Sequence, residues 1–159
     1  MSWPLFRYDT PMIWIAHRGN LNGPKPEFEN NPDYINEAVG KGFDVEVDVW
    51  VLRGDFYLGH DGSQYRIDIE YLCSYPLWCH AKNLDALVAM RRAGNIHCFW
   101  HENDMYTMTS RGWIWAYPGN DVNSDCIEVI QDDAWPDHLA GGCCSDYVEM
   151  LKNDSSSSV

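Results

Sequence analysis

The amino-acid sequence predicts an α/β protein assembled from parallel βαβ units. Three observations predict it. Short apolar runs of strand length recur along the chain. Capped segments of helix length separate the earlier runs. Side chains able to do chemistry collect where the runs end, and in parallel α/β folds that is where ligands bind.

Met12 to Ala16 (MIWIA) is an apolar strand that ends at His17-Arg18-Gly19. Asn20 to Asn30 is rich in Gly, Pro and Asn, which predicts a long loop. Asn31-Pro32-Asp33 starts a helix, because Pro lacks only an N–H that the first turn leaves unpaired anyway. Tyr34, Ile35, Ala38 and Val39 share one face of that helix, and Gly40 and Gly42 stop it. Phe43 to Val51 (FDVEVDVWV) alternates strictly, the pattern of a strand. Arg53-Gly54-Asp55 turns the chain into a short strand, Phe56 to Leu58, which ends at GHDG (59–62). Leu77 to Lys82 (LWCHAK) is the third main strand. Asn83 caps a helix through Leu84, Leu87, Val88 and Met90 that ends at Gly94. Ile96 to His101, Trp113 to Tyr117, Cys126 to Ile130 and Gly141 to Cys144 are further strands, and Asp146 to Lys152 is a terminal helix. No helix is evident between His101 and Ile130, so the second half is stripped down. Residues 1–152 are expected to form one domain, and 153–159 (NDSSSSV) a disordered tail.

Composition narrows the function. A chain of 159 residues is one domain that buries roughly 70% of its unfolded surface. Its 24 acidic against 11 basic residues give a net charge of −13, the wrong sign for generic nucleic-acid binding or for anionic membranes. No apolar run is long enough to span a membrane. The start, MSWPLFRYDTPM, lacks the basic and apolar stretches of a signal peptide. The six cysteines fit no zinc spacing, so they are expected to be reduced thiols packed in the core of a cytoplasmic protein. Trp78, Trp100, Trp113 and Trp115 either fill that core or line a pocket. Thr107, Thr109 and Ser110 have the makings of a substrate loop.

The polar strand ends carry the chemistry. Asp44, Glu46 and Asp48 alternate with Val45, Val47 and Val49, so the acids share one face of their strand. If that face is buried, like charges are costly unless a cation joins them, and carboxylate oxygens suit a hard divalent ion. The same alternation fits an antiparallel strand with one wet acidic face. His17 is either a buried structural histidine or part of a site. His60 lies beside Asp61, which could orient its ring, or is a solvated turn residue. Lys82 follows His80 on the same face and could hold a phosphate, or is a surface lysine beside a helix cap. Arg18 could grip a phosphate through two parallel hydrogen bonds, or pair with a surface acid.

Several stretches in this order resemble the glycerophosphodiester phosphodiesterase family, within the wider group of phospholipase-C-like phosphodiesterase barrels. They are IAHRG (15–19), EN (29–30), AVGKGFDVEVDV (38–49), GHD (59–61) and HAK (80–82), with CSDYVEML (144–151) resembling the segment after the family's last strand. The resemblance covers residues 13–82 and about the last twenty; residues 96–135 match only loosely. It implies a compact, shortened TIM-type β/α barrel with several helices reduced or missing. It implies divalent-metal-assisted cleavage of a glycerophosphodiester or similar small phosphodiester. On this resemblance His17 and His60 are the acid/base pair, Glu46 and Asp48 are metal ligands, and Arg18 and Lys82 bind phosphate. Two departures stand out. His80 occupies the position of the family's third acidic ligand, which widens the expected metal from Mg²⁺ or Ca²⁺ to Mn²⁺ or Zn²⁺, and leaves Glu102 and Asp104 as alternative ligands. The chain is also far shorter than the roughly 250 residues usual for such barrels. The alternatives are a catalytically silent phosphate-binding barrel, a metal or redox protein built on Cys and His, and a sphingomyelinase-D-like headgroup phosphodiesterase.

Overall fold

A computed structural model describes residues 10–74, 76–132 and 134–157. The first nine residues, counted above in the domain, and the last two of the expected tail lie outside the described residues.

Among the described residues ten strands form one mixed sheet, with four short helices. Its centre is parallel. β2 (Asp44–Leu52) pairs with β1 (Ile13–His17) on one side and β5 (Leu77–Ala81) on the other. β5 pairs onward to β6 (Cys98–Phe99). β1 pairs to β10 (Gly142–Ser145), then β9 (Cys126–Val129), then β8 (Ile114–Ala116), all parallel. Three strands run antiparallel at the margins: β3 (Asp55–Leu58) on the far half of β2, β4 (Tyr65–Ile67) on β3, and β7 (Tyr106–Met108) on β8.

The TIM-type barrel is therefore corrected to a curled half-barrel, made mostly of strands. Closure would need a ladder between β6 and the β7–β8 margin. Among the described residues β6 pairs only with β5, and both edges of β8 are taken by β9 and β7, so no such ladder forms. Only scattered bonds join these margins, such as Ser110 N–H to the Cys98 carbonyl at 2.8 Å and Thr107 Oγ1 to the Trp100 carbonyl at 2.9 Å. Helices cover one flank alone. α1 (Pro32–Gly40) and α3 (Leu84–Ala93) pack on β2, α2 (Ile69–Ser74) on β5, and α4 (Val148–Ser156) on β1 and β10. Local chemistry sets their ends. Asn31 Oδ1 accepts from Asp33 N–H, Asn83 accepts from Ala86 N–H, and Gly94 closes α3 in the left-handed conformation. α4 continues to Ser156, so residues 153–156 are helical rather than a disordered tail.

The two faces of the sheet divide the core. Val45, Val47 and Val49 pack outward with Ile35, Ala38, Ala86 and Met90 of the helices. Ile15, Trp78, Phe99, Trp115, Ile127 and Cys144 fill the concave side. Five cysteines are buried and Cys73 is exposed, all as free thiols. No helix of the described residues is long and apolar enough to cross a membrane.

Candidate active site

The alternation of the parallel strands carries the inner face up to their carboxyl ends, and there it turns polar. Glu46 and Asp48 are 2% and 1% exposed, so the wet acidic face is excluded. Lower on the same face, the Asp44 carboxylate accepts from Trp78 Nε1 at 2.9 Å. Burial raises its pKa, and the Trp78 bond only partly offsets this.

Asp48 is the hub. Its Oδ2 lies 3.1 Å from Arg18 Nε, 3.0 Å from Asn30 Nδ2 and 3.4 Å from His60 Nδ1. Its Oδ1 lies 3.4 Å from His80 Nδ1 and 3.8 Å from Lys82 Nζ. Burial would raise the Asp48 pKa, but the His60 and His80 rings beside it, with the charge of Arg18, hold it well below the usual carboxylate range.

His17 stands at the end of β1 between two acids. Its Nδ1 is 2.8 Å from Asp146 Oδ1 and its Nε2 is 3.8 Å from Glu46 Oε2. A carboxylate only accepts, so Nδ1 carries the hydrogen and Nε2 is the nitrogen left to work. Burial disfavours the charged ring, yet the Asp146 bond and the Glu46 charge raise its pKa overall. Burial acts against the Asp146 carboxylate too, and the His17 bond outweighs it, lowering that pKa. The backbone then turns sharply, with φ of +54° at Arg18 and +92° at Gly19. A Cβ at Gly19 would stand 2.9 Å from Tyr34 Cδ1 on α1, so the turn needs glycine for both its angle and its closeness. At the other loop, a Cβ on Gly59 would overlap the Gly62 carbonyl, which keeps the turn carrying His60 tight.

His80 has its ring fixed from two sides. Its Nε2 donates to the His101 carbonyl at 2.7 Å, and Phe99 stacks on it at 5.1 Å and 9°. Nδ1 therefore faces Glu46 and Asp48, at 3.6 and 3.4 Å, and can hold either a proton or a metal ion. Burial opposes the proton, but the Asp48 and Glu46 carboxylates beside Nδ1 raise this pKa to about 9. One ligand atom each from Glu46, Asp48 and His80 lie within 4.8 Å of one another. Glu46 Oε2 and Asp48 Oδ1 are buried without a hydrogen-bond partner, a cost of roughly 1–3 kcal/mol apiece or more for charged groups. Two buried carboxylates with such under-bonded oxygens, Glu46 Oε1 and Asp48 Oδ1 standing 3.6 and 3.4 Å from the His80 Nδ1, form a donor set that fits a divalent cation such as Mn²⁺, Zn²⁺ or Mg²⁺.

All seven residues singled out from the sequence thus meet in one cluster, but not in equal roles. Arg18 is held by Glu29 Oε2 at 3.0 Å and by Asp48, and its Nη2 is 3.3 Å from His60 Nε2. Lys82 stands against Asp48 and lines neither cavity beside the cluster. Glu102 and Asp104, the alternative ligands, are exposed and outside the cluster. Thr107, Thr109 and Ser110 belong to β7 and the turn after it. Thr109 is buried against His97 at 2.7 Å, so these residues are structural rather than a substrate loop. Trp78 and Trp115 belong to the concave core, Trp113 packs against it, and Trp100 is partly exposed.

Sequence reasoning missed the residues that brace the site. Asn20 is fully buried; its Nδ2 donates to Glu29 Oε1 and Asp146 Oδ1, both at 2.8 Å. Its Oδ1 accepts from Lys25 N–H and Tyr34 Oη, both at 3.1 Å. It thereby ties the partner of Arg18 to the partner of His17. Asn30 does the same for Asp48, donating to Oδ2 and accepting from its N–H at 2.9 Å. The resemblance did include Glu29-Asn30, without a role for either; the structure sets Asn30 at φ +63°, a conformation that Asn tolerates better than most side-chain-bearing residues. No protein-family model, no curated protein and no solved structure matches this chain.

Proposed function

We propose that the protein is a metal-dependent phosphodiesterase acting on a glycerophosphodiester or similar small diester, with His17 and His60 as its acid/base pair. The observation that supports this most is convergence: two histidines, an arginine and a lysine surround a Glu46–Asp48–His80 triad whose two acids are buried, from four separate places in the chain. A divalent ion held by the triad would neutralise a non-bridging phosphate oxygen. Arg18 adds positive charge at the same place. Asp146 keeps His17 in the tautomer whose Nε2 is free. Arg18 Nη2 donates toward His60 Nε2, so His60 carries its hydrogen on Nδ1, facing Asp48. One histidine takes the proton of the attacking water or hydroxyl, and the other supplies a proton to the leaving alkoxide.

The test is turnover of glycerophosphodiesters and bis-p-nitrophenyl phosphate with Mg²⁺, Mn²⁺ or Zn²⁺. His17→Ala, His60→Ala and EDTA are each expected to abolish it; full activity in both variants overturns the mechanism. The engagement of Arg18 by Glu29, Asp48 and His60 favours a second reading, a silent phosphate-binding protein. That reading wins if calorimetry finds diester binding while turnover stays at background with every metal.

A further inference from the structure

We infer that the site takes an unsymmetrical diester, with a small polar arm on one side of the phosphate and a ring-sized, non-anionic arm stacked on Tyr117 on the other. This rests on the phosphodiesterase reading and names its substrate class.

The cleft has two lobes. His17, Arg18, His60 and Asp146 line both of them, so these four residues mark the junction. The junction holds the site's arginine and both candidate acid/base histidines, the chemistry a phosphate monoanion requires. A phosphodiester has two substituents, and each lobe offers room for one.

The lobes differ in size and in walls. The smaller, about 300 Å³, is closed by Pro24, Pro26, Asp61 and Gln64. Proline rings narrow it, and Gln64 offers a donor and an acceptor to a short hydroxylated arm. The larger, about 570 Å³, is walled by Trp115, Tyr117, Pro118, Val129, Gln131 and Asp132. Trp115 is buried and braced by Phe99 at 4.6 Å, so it forms a fixed floor. Tyr117 is 38% exposed, its ring 5.7 Å from that of His101, and its N–H is anchored on the Met105 carbonyl at 2.8 Å. A held, half-open aromatic ring is a stacking platform. Asp132 lines this lobe together with Glu46, so a second anionic group there meets like charge.

Phosphorus NMR titration of the full chain with Mg²⁺ tests this, using dimethyl phosphate and methyl phenyl phosphate as probes. The wild type should bind methyl phenyl phosphate more tightly. Tyr117→Ala should weaken methyl phenyl phosphate about tenfold, the scale of one aromatic contact, and leave dimethyl phosphate unchanged. Tyr117→Phe should retain the methyl phenyl affinity. The dimethyl ester also reports whether each variant keeps the junction intact. Equal affinity for the two esters in wild type, or equal weakening of both in Tyr117→Ala, overturns the assignment of the larger lobe while leaving a phosphate site standing. Binding of neither ester to the wild type overturns the phosphodiester reading, and this inference with it.

Discussion

Asn30→Ala probes how the site is held. Asn30 is fully buried and bonds Asp48 twice, through Nδ2 to Oδ2 at 3.0 Å and from the Asp48 N–H to Oδ1 at 2.9 Å. Truncation removes both bonds. The bond to the carboxylate is charge-assisted and worth about 1.5–3 kcal/mol, and the Asp48 N–H, orphaned within β2, costs about 1–3 kcal/mol. Alanine at φ +63° adds about 1 kcal/mol of left-handed strain. These effects share one neighbour and do not simply add, so the expected loss is about 3–5 kcal/mol. Urea unfolding followed by tryptophan fluorescence, in metal-free buffer, measures it. Asn30→Gly removes the same bonds without the strain, and should cost about 1 kcal/mol less than alanine. A loss below about 1 kcal/mol for Asn30→Ala would refute the claim that this asparagine fixes Asp48.

Two further perturbations probe the core and the turn after β1. His97 is buried 4.1 Å from the Trp78 ring, and burial, helped by the Arg111 charge, lowers its pKa from 6.5 to about 4. At this one site the unfolded chain thus takes up a proton from about pH 6.5 downward while the folded chain does not, so the contribution of His97 to stability is full above that pH. It should fall towards pH 4 by no more than about 3 kcal/mol, and by less to the extent that water reaches the ring. His97→Gln should flatten that slope in urea midpoints measured against pH; an unchanged slope contradicts the assignment. Gly19→Ala should cost about 1–3 kcal/mol through its left-handed backbone and its contact with Tyr34. In a Tyr34→Ala background the cost should shrink, and an equal cost in both backgrounds argues against close approach.

The elements legible in the sequence are those that local chemistry specifies. Asn31 and Asn83 announce α1 and α3 through their side-chain bonds, and Gly94 stops α3. β2 is legible because nine residues alternate and bury both faces. β4 and β7 have three residues each and α2 has six, too few for any period to emerge. The failure of the sheet to close was illegible because it depends on how the two margins, β6 and β7, meet in space rather than on either run alone. At the site, the shared face of Glu46 and Asp48 was legible from strand alternation, whereas His80 joined them only through the family resemblance; the fold makes His80 the direct partner of Asp48 across β2 and β5. Asn20 was not, because nothing in a Gly/Pro/Asn-rich loop distinguishes a buried four-bonded asparagine from a solvated one. Lys82 was read as a phosphate ligand from its charge, its place after His80 and the resemblance, and the fold sets that charge against Asp48.

Electron paramagnetic resonance of Mn²⁺ added to the metal-free protein bears most directly on the triad at the carboxyl ends of β2 and β5. One tightly held ion per chain is expected, with nitrogen coupling from a single imidazole that disappears in His80→Ala, and with the ion released in Glu46→Gln and Asp48→Asn. Manganese held equally well by all three variants, or held without nitrogen coupling, would contradict a cation centre built from these residues.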